Sequence, residues 1–161
     1  MRVTMSKQIY QYLANHLVYV HHQKLKVIKS YSYDYDAYTS MLGYMNNYIG
    51  QLEHILDNAI ISQEANEPPI VIFGSTAVIS WNDVQTECGI VLPNGGHLTC
   101  QRPGAQIFTA GSPDAEALLF KTVGEMVSLQ AFGGSGRIER IIYDSIFEQE
   151  QYAPEIERFA V

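Results

Sequence analysis

The sequence predicts an α+β protein in two parts: an N-terminal antiparallel helical hairpin, then a small antiparallel β domain with one short helix. Three observations lead to this prediction. Apolar residues keep a helical period to about residue 60, a polar stretch then ends in two prolines, and short β-rich runs follow. We therefore expect a hairpin domain over residues 1–65 and a sheet domain over residues 70–161, the latter ending in an acidic tail.

The hairpin is predicted from two stretches that each carry one apolar stripe. Residues 8–29 contain no Gly or Pro, and their stripe from Leu13 to Val27 has spacings of four, three and seven residues. From Tyr38 to Ala59, apolar residues alternate in steps of three and four, which is the seam of a coiled-coil helix. Residues 30–36 are rich in turn-tolerant polar side chains and should form the tip. Residues 1–7 are expected to be loose.

The second half has the pattern of short strands. Residues 62–69 are polar and end in two prolines, which indicates a linker. A helix start at Ser112 is predicted by an N-cap hydroxyl, a proline at the first helical position and an acid behind it. The β-rich runs, which should make a sheet of about five short strands, are residues 70–73, 77–81, 86–92, 107–110, 126–131 and 138–143.

The amino-acid composition argues against several classes of function. A net charge of −7 over 161 residues argues against a free-standing nucleic-acid binder and predicts at most weak direct contact with nucleic acid. The sequence has no apolar run near the ~20 residues of a membrane span and no signal-peptide layout, so we expect no membrane partner and a cytoplasmic location. Two cysteines are too few for a disulfide scaffold.

The predicted helix start lies in a motif that continues into the strands after it. Its residues are Ser112, Pro113, Ala117, Leu118, Leu119, Val123, Gly124 and Val127, followed by Gly133-Gly134 and residues 137–143. This motif resembles the C-terminal domain of the GreA/GreB transcript-cleavage factors, which carries S-P-l-G-x-A-L-L-G-x-x-V-G-D-x-V before a strand, a Gly-Gly turn and a last strand ending in an aromatic. Ala115 and Phe120 stand here where the family has glycine, and Glu125 where it has Asp. The resemblance covers residues 71–144 and implies an FKBP-like domain.

The predicted arm is short for this family. Leu13 and Tyr35 are 22 positions apart, about a dozen fewer than in the family's layout, and this resembles its short-hairpin, Rnk-like members. The resemblance implies an accessory factor, itself not an enzyme, which binds the RNA polymerase core at its secondary channel. It would modulate elongation without full transcript cleavage. The alternative is a helical-hairpin interaction module unrelated to polymerase.

Asp34 and Asp36 are the only acids near the predicted tip. The resemblance implies that tip acids help hold the polymerase's catalytic Mg²⁺, a role that suits hard carboxylate oxygens, so no cofactor of the chain's own is expected. Two alignments stay open. Matching Asp34-Tyr35 to the family's final Glu-Tyr puts Ile28 and Tyr31 in place of the key acids, whereas matching the turn alone lets the two aspartates stand for them. Ordinary turn residues are the competing interpretation.

Aromatic and basic residues give further candidates. Amphipathic aromatics are enriched at interfaces, so polymerase contacts are predicted at Tyr31, Tyr33 and Tyr35 on the tip and at Phe120 and Phe132 on the sheet domain. A basic cluster on the first arm, which follows His21 and His22, could contact nucleic acid or could simply be a solvated helix face. Its lysines are Lys24, Lys26 and Lys29.

Cys88, His97 and Cys100 have ligand types that bind zinc, but a fourth ligand is missing. If Asn94-Gly95 formed a two-residue turn, the cysteines would lie on opposite faces of a hairpin. We therefore expect no metal site. The sequence also shows no nucleophile elbow, P-loop or dinucleotide fingerprint. A prolyl isomerase is not expected either, because the resemblance is to domains that keep this fold without an aromatic-lined site.

Overall fold

The computed structural model describes residues 2–30, 33–91 and 103–143. The described residues divide into two compact units, one ending at Glu67 and the other beginning at Pro68. Each unit has a core of its own. The predicted α+β class, a helical hairpin followed by a sheet domain with one short helix, is confirmed.

The first unit is built on two helices, α1 (Lys7–Lys29) and α2 (Tyr35–Asp57). Both begin at a side-chain cap. The Ser6 hydroxyl accepts a hydrogen bond from the Ile9 amide at 3.2 Å, and the Asp34 carboxylate accepts one from the Ala37 amide at 3.2 Å. Because Asp34 caps α2, Tyr35 and Asp36 belong to the helix. The predicted tip over residues 30–36 was therefore too long at its C-terminal end.

The seam between the helices differs from the predicted stripe of α1. Five of the buried residues of α1 recur in steps of four and three, and two of these five are polar, His16 and Gln23; Tyr19 is buried beside them. Leu17, which was predicted to be on the stripe, is only half-buried. A search for apolar spacing could not find a seam that runs through polar side chains. The buried seam residues are Ile9, Leu13, His16, Val20 and Gln23 on α1 and Met45, Tyr48, Ile49, Leu52, Ile55 and Leu56 on α2.

The chain is already paired near its N-terminus, so the prediction that residues 1–7 are loose was wrong for the described residues 2–7. Strand β1 (Thr4–Met5) pairs in parallel with β2 (Ile60–Ile61). The amides of Ile60 and Ser62 donate to the carbonyls of Val3 and Met5, both at 2.9 Å, and the Ser6 amide donates to the Ala65 carbonyl at 2.7 Å. Met5 is fully buried. These bonds tie both ends of the hairpin together in a base ladder.

The second unit is a five-stranded sheet in the order β5-β4-β3-β7-β6. Its pairs are antiparallel except for β4 and β5, which are parallel, so the predicted all-antiparallel sheet was wrong at this edge. The chain between β4 and β5 runs from residue 92 to 105, which is long enough for the crossover that parallel neighbours require. The elements are β3 (Thr76–Trp81), β4 (Val84–Val91), β5 (Gln106–Thr109), α3 (Pro113–Leu118), β6 (Met126–Leu129) and β7 (Gly134–Ile142).

Two local features differ from the predicted strands. Residues 70–73 are buried but form no strand, because their backbone bonds to the loop after α3: the Phe120 amide donates to the Val71 carbonyl at 2.8 Å. Strand β4 begins earlier than predicted because Asn82 and Asp83, with φ of 48° and 63°, make a two-residue hairpin turn.

The sheet unit contains a stacked aromatic pair. Trp81 stacks on Phe132 with ring centroids 5.6 Å apart and an interplanar angle of 25°. Gly136 on β7 packs closely against β3, because a Cβ atom at this position would be only 2.5 Å from Ile79 Cγ2. The Tyr143 hydroxyl donates to the Ile70 carbonyl at 2.8 Å.

Across the described ranges, the helices are too short or too polar to cross a membrane.

Candidate functional site

The tip of the hairpin is organised by the start of α2. Asp34 has the extended backbone of an N-cap residue, with φ of −129° and ψ of 105°. Its carboxylate accepts from the Ala37 amide, and its carbonyl accepts from the Tyr38 amide at 2.8 Å. The Thr39 hydroxyl donates to the Tyr35 carbonyl at 2.9 Å. Three hydrogen bonds therefore hold the first turn of α2.

Large apolar side chains are exposed at this end of the hairpin. Tyr33 is 87% exposed, Tyr35 79% and Leu25 63%. We call these three residues the tip surface. Tyr31, the third tyrosine predicted for this site, lies outside the described residues. Sequence reasoning missed Leu25, because an apolar residue within a predicted helix is normally assigned to the core.

The two tip acids have different positions. Asp34 precedes the helix and caps it, whereas Asp36 lies in the first turn. Both are exposed. Side chains two residues apart at the start of a regular helix do not face each other. Within the described part of the chain, no group of three His, Cys, Asp or Glu side chains could hold a metal ion.

The basic cluster lies on the last two turns of α1. Lys26 and Lys29 are exposed, and Lys24 is half-buried. Lys29 is four residues after Leu25 and three after Lys26, so it is a helix-surface neighbour of both, and charge and apolar surface are adjacent there. The cluster concentrates positive charge in a chain whose net charge is −7.

A buried polar pair lies deeper in the hairpin. His16 Nε2 and the Tyr48 hydroxyl are 2.7 Å apart, and the two rings meet edge to face with centroids 6.0 Å apart. Burial lowers the pKa of His16 to about 3, because the imidazolium would lose its hydration. His16 is therefore neutral near pH 7. Its position three residues after Leu13, on the period of the seam, was the signal that sequence reasoning passed over.

The two phenylalanines predicted as contacts are both half-buried. Phe120 has a left-handed backbone with φ of 63°, at the place where the resembling family has glycine. Phe132 lies in a short 3-10 turn, where it stacks on Trp81. Among the described residues of this unit, the large apolar side chains that are exposed are instead Val84, Ile107, Val123 and Met126.

Asp114, the acid at the predicted start of α3, and Cys88, one of the possible zinc ligands, both have buried positions in the sheet unit. Asp114 is buried, and its two carboxylate oxygens accept from the amides of Gln130 at 2.7 Å and Ala131 at 3.0 Å, so it joins α3 to the 3-10 turn. Cys88 is buried on β4 opposite Ala77. His97, Cys100 and the acidic tail after residue 143 lie outside the described residues.

Comparison with solved structures finds similar chains among transcription factors. Gfh1, the GreA factor homolog 1 of Thermus thermophilus, is 21% identical, with 88% of this chain and 99% of that chain covered and a TM-score of 0.37. Thermus aquaticus Gfh1 is 21% identical, with 88% and 98% covered and a TM-score of 0.38. The transcription elongation factor GreA/GreB from Nitrosomonas europaea is 17% identical, with 89% and 99% covered and a TM-score of 0.42. No family model and no curated protein matches the chain. These structures carry the names of the family that the motif over Ser112–Val127 resembles.

Proposed function

We propose that the protein is a transcription factor that binds bacterial RNA polymerase at the secondary channel, in the cytoplasm, and modulates elongation without full transcript cleavage. The observation that carries this proposal is a regular two-helix hairpin with exposed aromatics at its tip, followed by a sheet domain containing the Gre-like motif. It is an accessory factor in this proposal, so the chemistry belongs to the polymerase.

The dimensions of the hairpin support this function. Each helix has 23 residues, which at ~1.5 Å per residue gives an arm of roughly 35 Å. Such an arm carries its tip well away from its base. The base ladder between β1 and β2 holds both ends of the arm, so the tip is presented by a closed element.

The proposed contacts fall into two groups. On the arm, Tyr33 and Tyr35, together with Tyr31, offer rigid amphipathic area to the channel. On the sheet domain, the half-buried rings of Phe120 and Phe132 contact the polymerase outside the channel. The lysines of the basic cluster give at most a weak contact with nucleic acid. They are Lys24, Lys26 and Lys29.

The proposed lack of full transcript cleavage is supported by the positions of the two tip acids. The catalytic Mg²⁺ is the polymerase's own, and in this proposal neither Asp34 nor Asp36 is required to hold it. Mg²⁺ demands near-octahedral geometry and takes only one or two protein carboxylates. Asp34 already accepts the Ala37 amide, and the two acids are not set facing each other. The tip therefore occupies the channel more effectively than it assists catalysis.

A pull-down of core RNA polymerase by the full-length chain tests the proposal. We expect retention of the polymerase, and about tenfold weaker binding when Tyr33 and Tyr35 are both changed to Ala, because two anchoring aromatics are lost. Exposed Gln51 on α2 gives the control Gln51→Ala, which should bind normally. Failure of wild-type protein to retain polymerase would favour the alternative, a hairpin interaction module unrelated to polymerase.

The sheet-domain contact has its own variant. Phe120→Gly removes the ring while keeping the left-handed backbone that glycine adopts without strain. We expect weaker retention of polymerase with an intact fold, checked by circular dichroism. Unchanged retention would remove Phe120 from the contact.

A further inference from the structure

We infer that Asp34 is a positioning residue of the tip, which caps α2 and thereby fixes the direction of Tyr33 and Tyr35, and that its negative charge is dispensable. The inference rests on the proposed function, since the direction of these tyrosines matters only if the tip engages a partner. It assigns to Asp34 a role different from that of a metal-assisting acid.

The Asp34 carboxylate is already used as the cap of α2. The first amides of a helix have no partner within the helix, and a side chain at the N-cap supplies one. Asp34 supplies it to the Ala37 amide at 3.2 Å and has the extended backbone that this geometry needs. An amide oxygen at the same place would accept the same bond, so the cap needs an acceptor and not a charge.

The cap lies between two exposed tyrosines. Tyr33 precedes Asp34 and Tyr35 follows it, and both rings are more than three-quarters exposed, so packing does little to fix their backbone. Local hydrogen bonds at Asp34 and Tyr35 therefore set the course of the backbone from which the rings project. Besides the cap, these are the bond from the Tyr38 amide to the Asp34 carbonyl and the bond from the Thr39 hydroxyl to the Tyr35 carbonyl.

The chain provides a matched charge control two residues away. Asp36 is exposed like Asp34 but lies inside the first turn, past the capping position. Asp36→Asn removes one negative charge from the tip and leaves the cap in place. Asp34→Asn removes the same charge and keeps an acceptor, whereas Asp34→Ala removes both the charge and the cap.

Two measurements on the full-length protein test the inference. The first is hydrogen exchange of the Ala37 amide by NMR, which should be about fivefold faster in Asp34→Ala and close to wild type in Asp34→Asn. The second is affinity for core RNA polymerase, which should fall about fivefold in Asp34→Ala. Asp34→Asn and Asp36→Asn should remain within about twofold of wild type.

The outcomes separate the inference from the function on which it rests. Equal loss of affinity in Asp34→Asn and Asp34→Ala would show that the charge is needed and would overturn the positioning role. So would unchanged Ala37 exchange in Asp34→Ala. If wild-type protein does not bind polymerase, the proposed function itself fails, while the exchange data still report whether the cap holds the turn.

Discussion

His16 is a titratable side chain enclosed in the seam of the hairpin. It is fully buried against Tyr48, and burial lowers its pKa from 6.5 to about 3. The unfolded chain binds a proton below pH 6.5 that the folded chain does not bind until about pH 3. The folded state is therefore at its full stability, with respect to this group, above pH 6.5 and loses stability as the pH falls from 6.5 toward 3.

This coupling of protonation to folding predicts that the free energy of unfolding depends measurably on pH. Between pH 6.5 and 5 the free energy of unfolding should fall by about 2 kcal/mol, since each pH unit contributes about 1.4 kcal/mol. Urea unfolding at several pH values measures it. His16→Met should abolish most of the slope, and Gln51→Ala, at an exposed position that does not titrate, should leave it unchanged. An equal slope in His16→Met would show that other groups cause the acid sensitivity.

Asp114 gives a second prediction at the scale of one residue. Asp114→Ala removes the acceptor of two backbone amides, those of Gln130 and Ala131, and should destabilise the protein by about 2 kcal/mol. Asp114→Asn keeps one acceptor oxygen and should lose less. The control is Glu116→Ala, an exposed position on the same helix. Equal unfolding midpoints in urea for Asp114→Ala and wild type would contradict this account.

At the scale of the element, helix α2 contains two glycines that lower its stability. Gly43 and Gly50 lie in its interior, are exposed, and have no atom within 4 Å of an added Cβ. Each Gly→Ala change should stabilise the protein by about 0.5–1 kcal/mol, because alanine loses less backbone freedom on folding. Thermal unfolding measures this. Gly136→Ala should do the opposite, since its Cβ would meet Ile79 Cγ2 at 2.5 Å.

The spacing of apolar residues predicted both helices and most strands, but it missed part of the helix seam and the direction of one strand. Both helices were found from apolar spacing, but His16 and Gln23 complete the seam of α1, and a polar residue carries no apolar signal. The parallel pairing of β5 was missed because alternation of side chains is the same in both strand directions. Strand β1 has only two residues, too few for any pattern.

The candidate site was predicted in part. The exposed Tyr33 and Tyr35 lie at the tip as the sequence indicated. The same residue type serves as N-cap and as metal ligand, so the sequence could not separate these roles for Asp34. The resemblance pointed to a glycine position at Phe120, but only the structure gives its left-handed φ of 63°.

At the scale of the whole molecule, two units with separate cores suggest two separate foldable pieces. We predict that residues 68–161 alone keep the sheet and that residues 1–67 alone keep the hairpin, because each retains its own buried residues. Circular dichroism and NMR of the two fragments test this. Residues 1–59, which lack β2, are the matched control and should melt at a lower temperature than residues 1–67. A structureless 68–161 fragment would contradict the prediction.

The base ladder has a mechanical consequence. Strands β1 and β2 run in the same direction, and the chain enters at the start of one and leaves at the end of the other. A pull on the two flanking segments therefore shears the strands past each other. It loads the bonds at Ile60, Ser62 and Ser6 together, instead of opening them one after another. A force applied between these two segments is thus carried first by the bonds at the base of the hairpin.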